Sequence, residues 1–350
     1  MRLESRAQPS AAMALLSPLL ALVLTVLIGV LLFALLGKDP LRGLAVFFWE
    51  PLRSGYALTE LGVKATPLVL CALGLIVCFR ANVWNIGAEG QLLAGAMLGG
   101  AVALGAPAGS GAYMLPAVLL AGVLGGMAWA SITAWLRDRA NANEILVSLM
   151  LVYVAQLLLA WLVHGPMKDP QGYNFPQTRM FLPDVLIPLL VPGTRLHAGA
   201  LLALLAVPCI GVFLFRSFAG YQLQVGGLAP MAARYAGFSS RKALWQAMLI
   251  SGGLAGLAGA VEAAGPLGQL TPHVSSGYGS AAIIVAFIGR LHPVGVVLAA
   301  VLMSMFYIGG ELAQSRLGLP SALTGVFQGL LLIALLACDT LIHYRLRWSR

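Results

Sequence analysis

Apolar runs of about 20 residues recur along the chain, and each is long enough to cross roughly 30 Å of hydrocarbon as a helix. They lie near residues 12–36, 58–79, 87–106, 112–136, 145–164, 198–216, 243–265, 294–312 and 321–341. A shorter apolar piece, Ala281 to Ile288, precedes the last two. Runs such as "LLALLAVPCIGVFLF" do not alternate apolar and polar as barrel strands do, so the spans read as helices. A helix also satisfies its own backbone hydrogen bonds, which lipid cannot do for it. Only 9% of the 350 residues are charged and 60% are hydrophobic. Soluble domains carry roughly 25% charged residues, so bilayer must replace water over most of this surface. The expected fold is an all-α polytopic membrane protein of about 9–10 transmembrane segments, one of them a half-helix. The first run exceeds the about 7–15 residues of a signal core and is expected as a retained span.

Positive charge orients the spans. With the N-terminus and its Arg2 and Arg6 in the cytoplasm, and with 281–288 counted as a crossing, Arg80, Arg137, Arg139, Arg216, Arg234, Arg241, Lys242, Arg290, Arg345, Arg347 and Arg350 share that side. Lys38, Arg42, Arg53, Lys168, Arg179, Arg195 and Arg316 fall outside. Both termini are then cytoplasmic. Without the short crossing the basic end "HYRLRWSR" would face outward, and this is the reason to read Ala281 to Ile288 as a half-span or re-entrant helix. The net charge of +9 is thereby explained by topology rather than by nucleic acid.

Three connections exceed tight turns. Gly37 to Ala57 holds "FFWEPLR", an amphipathic piece with aromatics suited to the outer interface; 165–197 is Pro-rich and external; 217–241 is cytoplasmic with a helical core, "APMAARYAG". Composition marks no domain boundary, so residues 1–350 read as one transmembrane domain. Cys71, Cys78, Cys209 and Cys338 all lie in apolar runs and read as packed thiols. No G-x-x-x-x-G-K-[ST] loop, H-E-x-x-H motif or His/carboxylate metal spacing is present. The expectation is no catalytic residue, no metal and no cofactor in this chain.

Polar groups inside a membrane are expensive and mark a pathway or a partner contact. The candidates are Glu60 with Lys64, Asn82, Asn85, Glu89, Gln91, Asn143, Glu144, Gln156 and Glu262. Each has a structural reading too. Glu60 and Lys64, four apart, suit an ion pair; Asn143 and Glu144 suit a helix start; Gln156 suits an interhelical hydrogen bond. "SGGLAGLAGAVEAAG" sets Gly252 with Gly256 and Ala255 with Gly259 at four-residue spacing, which lets helix backbones approach closely. Densest is "ANVWNIGAEGQ", residues 81–91, an irregular turn before a helix start. Such breaks can expose backbone donors to a polar solute, and Trp84 can stack on a flat ligand or anchor at an interface. By itself the stretch fits a structural hairpin equally well.

"ANVWNIGAEGQLLAGAMLGG" resembles the hallmark of ABC-transporter permeases of the branched-chain amino acid, ribose and nucleoside class, nearest to the subgroup served by basic-membrane-protein-type nucleoside-binding lipoproteins. "NEILVSLMLVY", "GGLAPMAARYAGFSSRKALWQAMLISGGLAGLAGA" and "GYGSAAIIVAFIGRLHPVGVVLAA" resemble further family segments in order, together covering roughly residues 60–310. The resemblance implies a permease subunit in a bacterial plasma membrane. Such a subunit would import a nucleoside or related purine or sugar solute delivered by an external solute-binding lipoprotein, with ATP bound by a partner ATPase. It implies pairing with a second, related permease as a heterodimer. The substrate path would involve Asn82, Trp84, Asn85, Glu89, Gln91, Asn143 and Glu144. The loop Ala229 to Gly237 would dock on the ATPase through Pro230, Ala232, Ala233, Arg234, Tyr235 and Gly237, with Ala232 and Ala233 permitting close approach. The chain departs from the family at Ala229 and His292, where Asn is usual, at Gln224, where Arg is usual, and at Val152, where Asn is common. Rival readings are a simple-sugar or branched-chain amino acid permease, and an ion-coupled secondary transporter with Glu89 or Glu144 as relay.

Overall fold

A computed structural model describes residues 2–5, 10–109, 111 and 113–347. Arg6 and Arg350, used above to orient the chain, lie outside the described residues. The helices are α1 (Ala11–Leu35), α2 (Pro40–Leu44), α3 (Gly55–Arg80), α4 (Ala88–Gly105), α5 (Met114–Ala140), α6 (Glu144–His164), α7 (Gly199–Arg216), α8 (Phe218–Leu228), α9 (Pro230–Tyr235), α10 (Ser240–Glu262), α11 (Tyr278–Ile288), α12 (Pro293–Leu317) and α13 (Ala322–His343). Among the described residues, eight helices are long and apolar enough to cross a membrane, and α11 is a shorter apolar helix of 11 residues. The remaining expected span is α4, which carries Glu89 and Gln91 and is buried along most of its length. Every expected span, and the expected half-helix, therefore corresponds to a helix.

Contacts divide the chain into two compact units, residues 1–61 with 302–350 and residues 62–301. The sequence marks no such boundary, because the divisions fall inside α3 and α12, whose composition is apolar throughout.

In the first unit α1 packs against α13. The rings of Phe33, Phe47, Phe306 and Phe327 cluster, with Phe47 and Phe327 centroids 4.5 Å apart. Such ring pairs add about 0.5–1.5 kcal/mol beyond area burial. The piece "FFWEPLR" thus divides its aromatics differently from the expected interface belt: Phe47 is fully buried, while Trp49 stays exposed. The physical reason is a π-helical turn at Ala45–Trp49, which turns Phe47 into the cluster. Asp39 starts α2 by accepting from the Leu41 N–H at 2.9 Å. Strands β1 (Arg2–Ser5) and β2 (Tyr344–Arg347) pair antiparallel, so the two chain ends lie side by side.

In the second unit α4, α5 and α10 form the core, and glycine sets their spacing. A Cβ on Gly126 would stand 2.0 Å from the Gly252 carbonyl oxygen, and one on Gly259 would stand 1.9 Å from that of Leu92. The small-residue pattern in α10 is therefore a close-packing seam. Segment 165–197 is irregular but laced to the chain after α10: Thr178, Phe181 and Ile187 N–H groups donate to the carbonyls of Leu270, Gly268 and Ala264 at 3.0, 2.8 and 2.9 Å. The cysteines are free; Cys71 and Cys78 are buried, whereas Cys209 is exposed rather than packed, on an outward face of α7.

Candidate functional site

The break between α3 and α4 lies in the second unit, and its polar side chains are mostly turned inward. Asn82 adopts φ 55 where α3 ends, a left-handed position that Asn tolerates well. Its neighbour Val83 closes the turn by donating to the Cys78 carbonyl at 2.9 Å. Asn85 is fully buried. Its amide donates to Gln91 Oε1 at 3.0 Å and to Ser251 Oγ at 2.9 Å, while its Oδ1 accepts from Gln91 Nε2 at 3.1 Å and from the Gly87 N–H at 3.0 Å. Two side chains that a passing solute would need are thus engaged with each other and with α10. A buried polar group left unpaired costs about 1–3 kcal/mol, so this reciprocal pair is what lets an irregular turn sit inside an apolar core.

Glu89 is also buried, and it reaches a different element. Its Oε2 accepts from the Gly279 N–H at 2.6 Å, at the first turn of α11. A carboxylate there satisfies an otherwise orphaned helix donor and complements the helix dipole. The backbones touch as well: a Cβ on Gly279 would stand 2.3 Å from the Glu89 nitrogen. In the last turn of α11, Phe287 stacks on Phe79 at 5.2 Å and on Trp84 at 6.3 Å. Trp84 remains 40% exposed, the one large side chain of the break with a free face.

The start of α6 staples the break from the other side. Glu144 Oε1 accepts from the Trp84 N–H at 3.5 Å, and Ser148 Oγ accepts from the Ile86 N–H at 3.3 Å. Glu144 also pairs with Arg137 across the α5–α6 turn. Asn143 does not join the cluster; its Oδ1 caps α6 by accepting from the Ile145 N–H at 2.9 Å. Gln156 is exposed and, among the described residues, makes no interhelical hydrogen bond, because α6 packs through Val152, Ala155, Leu159 and Val163 instead. Lys64 extends over the Tyr278 ring, with Nζ 5.8 Å from its centroid. Glu262 is buried, with Lys64 and Arg195 as the cations acting on it, and its Oε2 has no partner among the described residues. Ser148 and Ser251 were missed by sequence reading. Ser148 lies one helical turn after Glu144, the one signal that could have found it.

Segment 217–241 contains the expected helical core as α9 and, before it, a second helix, α8. Ser217 Oγ starts α8 by accepting from the Gly220 N–H at 2.9 Å, and Pro230 opens α9. The three glycines of "FAGYQLQVGGL" hide α8 from a periodicity reading. Phe238 packs edge-on against Phe218 and Tyr221 at 6.0 and 6.2 Å, bracing the arm. Gly237, at φ 77, ends α9. Pro230, Ala232 and Arg234 are exposed, and Tyr235 is 94% exposed, beside Leu228 at 86% and Met231 at 69%. Ala233 is the correction: it is buried, facing the arm's own interior, so it cannot offer close approach to a partner. At the start of α10, Trp245 Nε1–H donates to Asp138 of α5 at 3.2 Å and Arg241 pairs with the same carboxylate at 2.7 Å, holding the base of the arm to α5.

No group of three or more His, Cys, Asp or Glu among the described residues is placed to hold a metal ion.

Comparison with known proteins agrees with this layout. Residues 57–336 match the family described as branched-chain amino acid transport system permease component. The chain is 35% identical to the glucose ABC transporter permease protein TsgB13 of Haloferax volcanii, over 99% of this chain and 93% of that one. It is 31% identical to the guanosine ABC transporter permease protein NupP of Bacillus subtilis, over 91% of this chain and 92% of that one. A solved metal-chelate type ABC transporter in an inward-facing conformation shares the fold, with a TM-score of 0.50 at 16% identity over 93% of this chain and 99% of that one. With the family match spanning most of the chain and eight membrane-length helices, this protein belongs to the branched-chain amino acid-type permease family and is a multi-pass plasma-membrane permease subunit of an ABC importer.

Proposed function

We propose that this permease imports a nucleoside or a related purine or sugar solute, using ATP hydrolysed in a separate ATPase chain docked on α9. The observation that carries the docking is the uncovered face of the arm: Leu228, Met231 and Tyr235 are 86%, 69% and 94% exposed beside Arg234. Aromatic and Arg side chains of this kind are favoured at interface hot spots. On the charge-based orientation the arm is cytoplasmic, where a partner rather than lipid must cover it. An external solute-binding lipoprotein delivers the cargo, and a second, related permease completes the pathway.

The cargo class is supported by the relatives named above, one a guanosine permease and one a glucose permease. Both solutes present sugar hydroxyls. Trp84, stacked on Phe287 and half-exposed, suits the flat base of a nucleoside; base–aromatic stacking is worth about 1–3 kcal/mol. The glucose relative favours a second reading, a hexose cargo, in which Trp84 packs against a sugar face. Uptake of radiolabelled guanosine and of radiolabelled glucose, measured in cells with and without this chain, separates them. Guanosine uptake lost with the chain supports the nucleoside reading; loss of glucose uptake alone overturns it.

A further inference from the structure

Arg80 ends α3 at the lip of the break and touches three other elements. Its Nε–H donates to the Leu291 carbonyl at 2.8 Å, its NH1 donates to Gln224 Oε1 at 2.7 Å, and its guanidinium carbon stands 4.9 Å from the centroid of Phe215. These belong to the α11–α12 turn, to α8 and to the end of α7. Backbone contact reinforces the link to α8: a Cβ on Gly227 would stand 2.3 Å from the Arg80 carbonyl oxygen and 2.8 Å from the Ala81 carbonyl carbon.

The turn that Arg80 holds is itself strained. Arg290 and Leu291 adopt φ 57 and 51 in succession, a left-handed conformation that non-glycine residues rarely visit and that persists only where surrounding contacts enforce it. Gly289 and Gly295 close the same turn so tightly that a Cβ on Gly295 would stand 2.3 Å from the Gly289 carbonyl oxygen. The opposite end of α11 is held by Glu89, while Phe79 and Trp84 stack on Phe287 in its last turn, just before the strained residues. Residues 79–89 therefore grip both ends of the half-helix, and through its side chain Arg80 also hydrogen-bonds to Gln224 of the α8–α9 arm.

We propose that Arg80 is the positioning residue that passes displacement of the α8–α9 arm to the half-helix α11, through Gln224 on one side and the Leu291 turn on the other. Guanidinium suits the task because its planar fork donates in several fixed directions while its face lies on an aromatic ring. Gln224 suits it because its amide oxygen accepts from Arg80 while its Nε2 donates to the Leu214 carbonyl at 2.6 Å and the Gly220 carbonyl at 3.3 Å. An arginine at 224 would offer Arg80 no acceptor and a like charge. The pair is thus matched within this chain. The inference rests on the importer reading, since it assigns the arm's motion to the ATPase.

The complete transporter, with ATPase, second permease and binding protein, is reconstituted in proteoliposomes, and solute imported per ATP hydrolysed is measured. Arg80→Gln is expected to lower that ratio at least ten-fold. Arg80→Lys is expected to fall between it and the wild type. Gln224→Ala is expected to lower the ratio in the wild-type background and to add nothing to Arg80→Gln. A merely structural role would reduce yield and both rates together and leave the ratio unchanged, and that result overturns the inference. Should Arg80→Gln fail to assemble, Gln224→Ala decides: an unchanged ratio overturns the link, a lowered one supports it. A wild-type complex without ATP-dependent uptake overturns the importer reading itself, whereas a coupled wild type with an equally coupled Arg80→Gln overturns this inference alone.

Discussion

The Glu89 carboxylate accepts a hydrogen bond from the Gly279 N–H at 2.6 Å, joining the start of α4 to the first turn of α11 across 190 positions of sequence. The polar break between α3 and α4 is therefore a clasp on the half-helix. Glu89→Ala removes the acceptor and leaves a buried helix donor unpaired, at a cost of about 1–3 kcal/mol. Glu89→Gln keeps an acceptor. Thermal unfolding in detergent should show a clear loss for Glu89→Ala and a smaller one for Glu89→Gln, and ATP-driven uptake should survive in Glu89→Gln. Abolished uptake in a stable Glu89→Gln protein would instead favour a proton relay at this carboxylate.

Asn85 and Trp84 should behave differently, although they are neighbours. Asn85→Ala strands Gln91 and Ser251 in the core and should lower the yield of folded protein. Trp84→Ala removes a ring with a free face and should leave yield near normal while cutting uptake several-fold. Paired measurements of yield and uptake settle it; normal uptake in Trp84→Ala removes the residue from the pathway.

On the arm, Arg234→Glu and Tyr235→Ala should weaken ATPase binding by about 2 kcal/mol or more, as central interface residues do. Co-purification of the ATPase with detergent-solubilised permease reads this directly, and binding of the solute-binding lipoprotein should be unaffected. Ala233→Asp should act otherwise, by placing a charge inside the arm and unfolding it. If Arg234→Glu recruits the ATPase normally, docking lies elsewhere.

Orientation is testable without the partners. In a background lacking the native cysteines, Gln171→Cys should react with an impermeant thiol reagent on intact cells. Lys242→Cys should react only after permeabilisation. Both positions are exposed, so accessibility reports the side of the membrane. The opposite pattern reverses the assigned topology.

His197 supplies a pH dependence. It is buried just before α7, and burial lowers its pKa from 6.5 to about 4. Its Nδ1 accepts from the Gly199 N–H at 3.2 Å, so the ring is held neutral. The unfolded chain takes up a proton below its ordinary pKa that the folded chain refuses, so this contribution is complete above about pH 6.5 and is lost as pH falls toward 4. The loss approaches about 3 kcal/mol, at about 1.4 kcal/mol per pH unit. His197→Gln should flatten the fall in melting temperature between pH 7 and pH 4.5; an unchanged slope removes His197 as its source.

The spans, the half-helix and the family were legible because each depends on local composition or on a contiguous motif. Twenty apolar residues must cross lipid as a helix whatever their neighbours, and the glycine spacing of α10 announces a close-packing face. The α8–α9 arm was legible in position but not in form: α8 was hidden by its glycines, and the inward turn of Ala233 depends on which face the Phe218–Tyr221–Phe238 cluster covers.

What the sequence by itself determined was that "ANVWNIGAEGQ" had to satisfy many polar groups within a greasy surround. What only the tertiary structure decided was where those groups turn. Asn85 reaches Ser251, Glu89 reaches Gly279 and Arg80 reaches Leu291 and Gln224, partners 144 to 211 positions away. A hydrogen bond carries no mark in sequence of the distant group that completes it. The same Asn or Glu serves a solute path or a buried clasp according to which helix is packed against it.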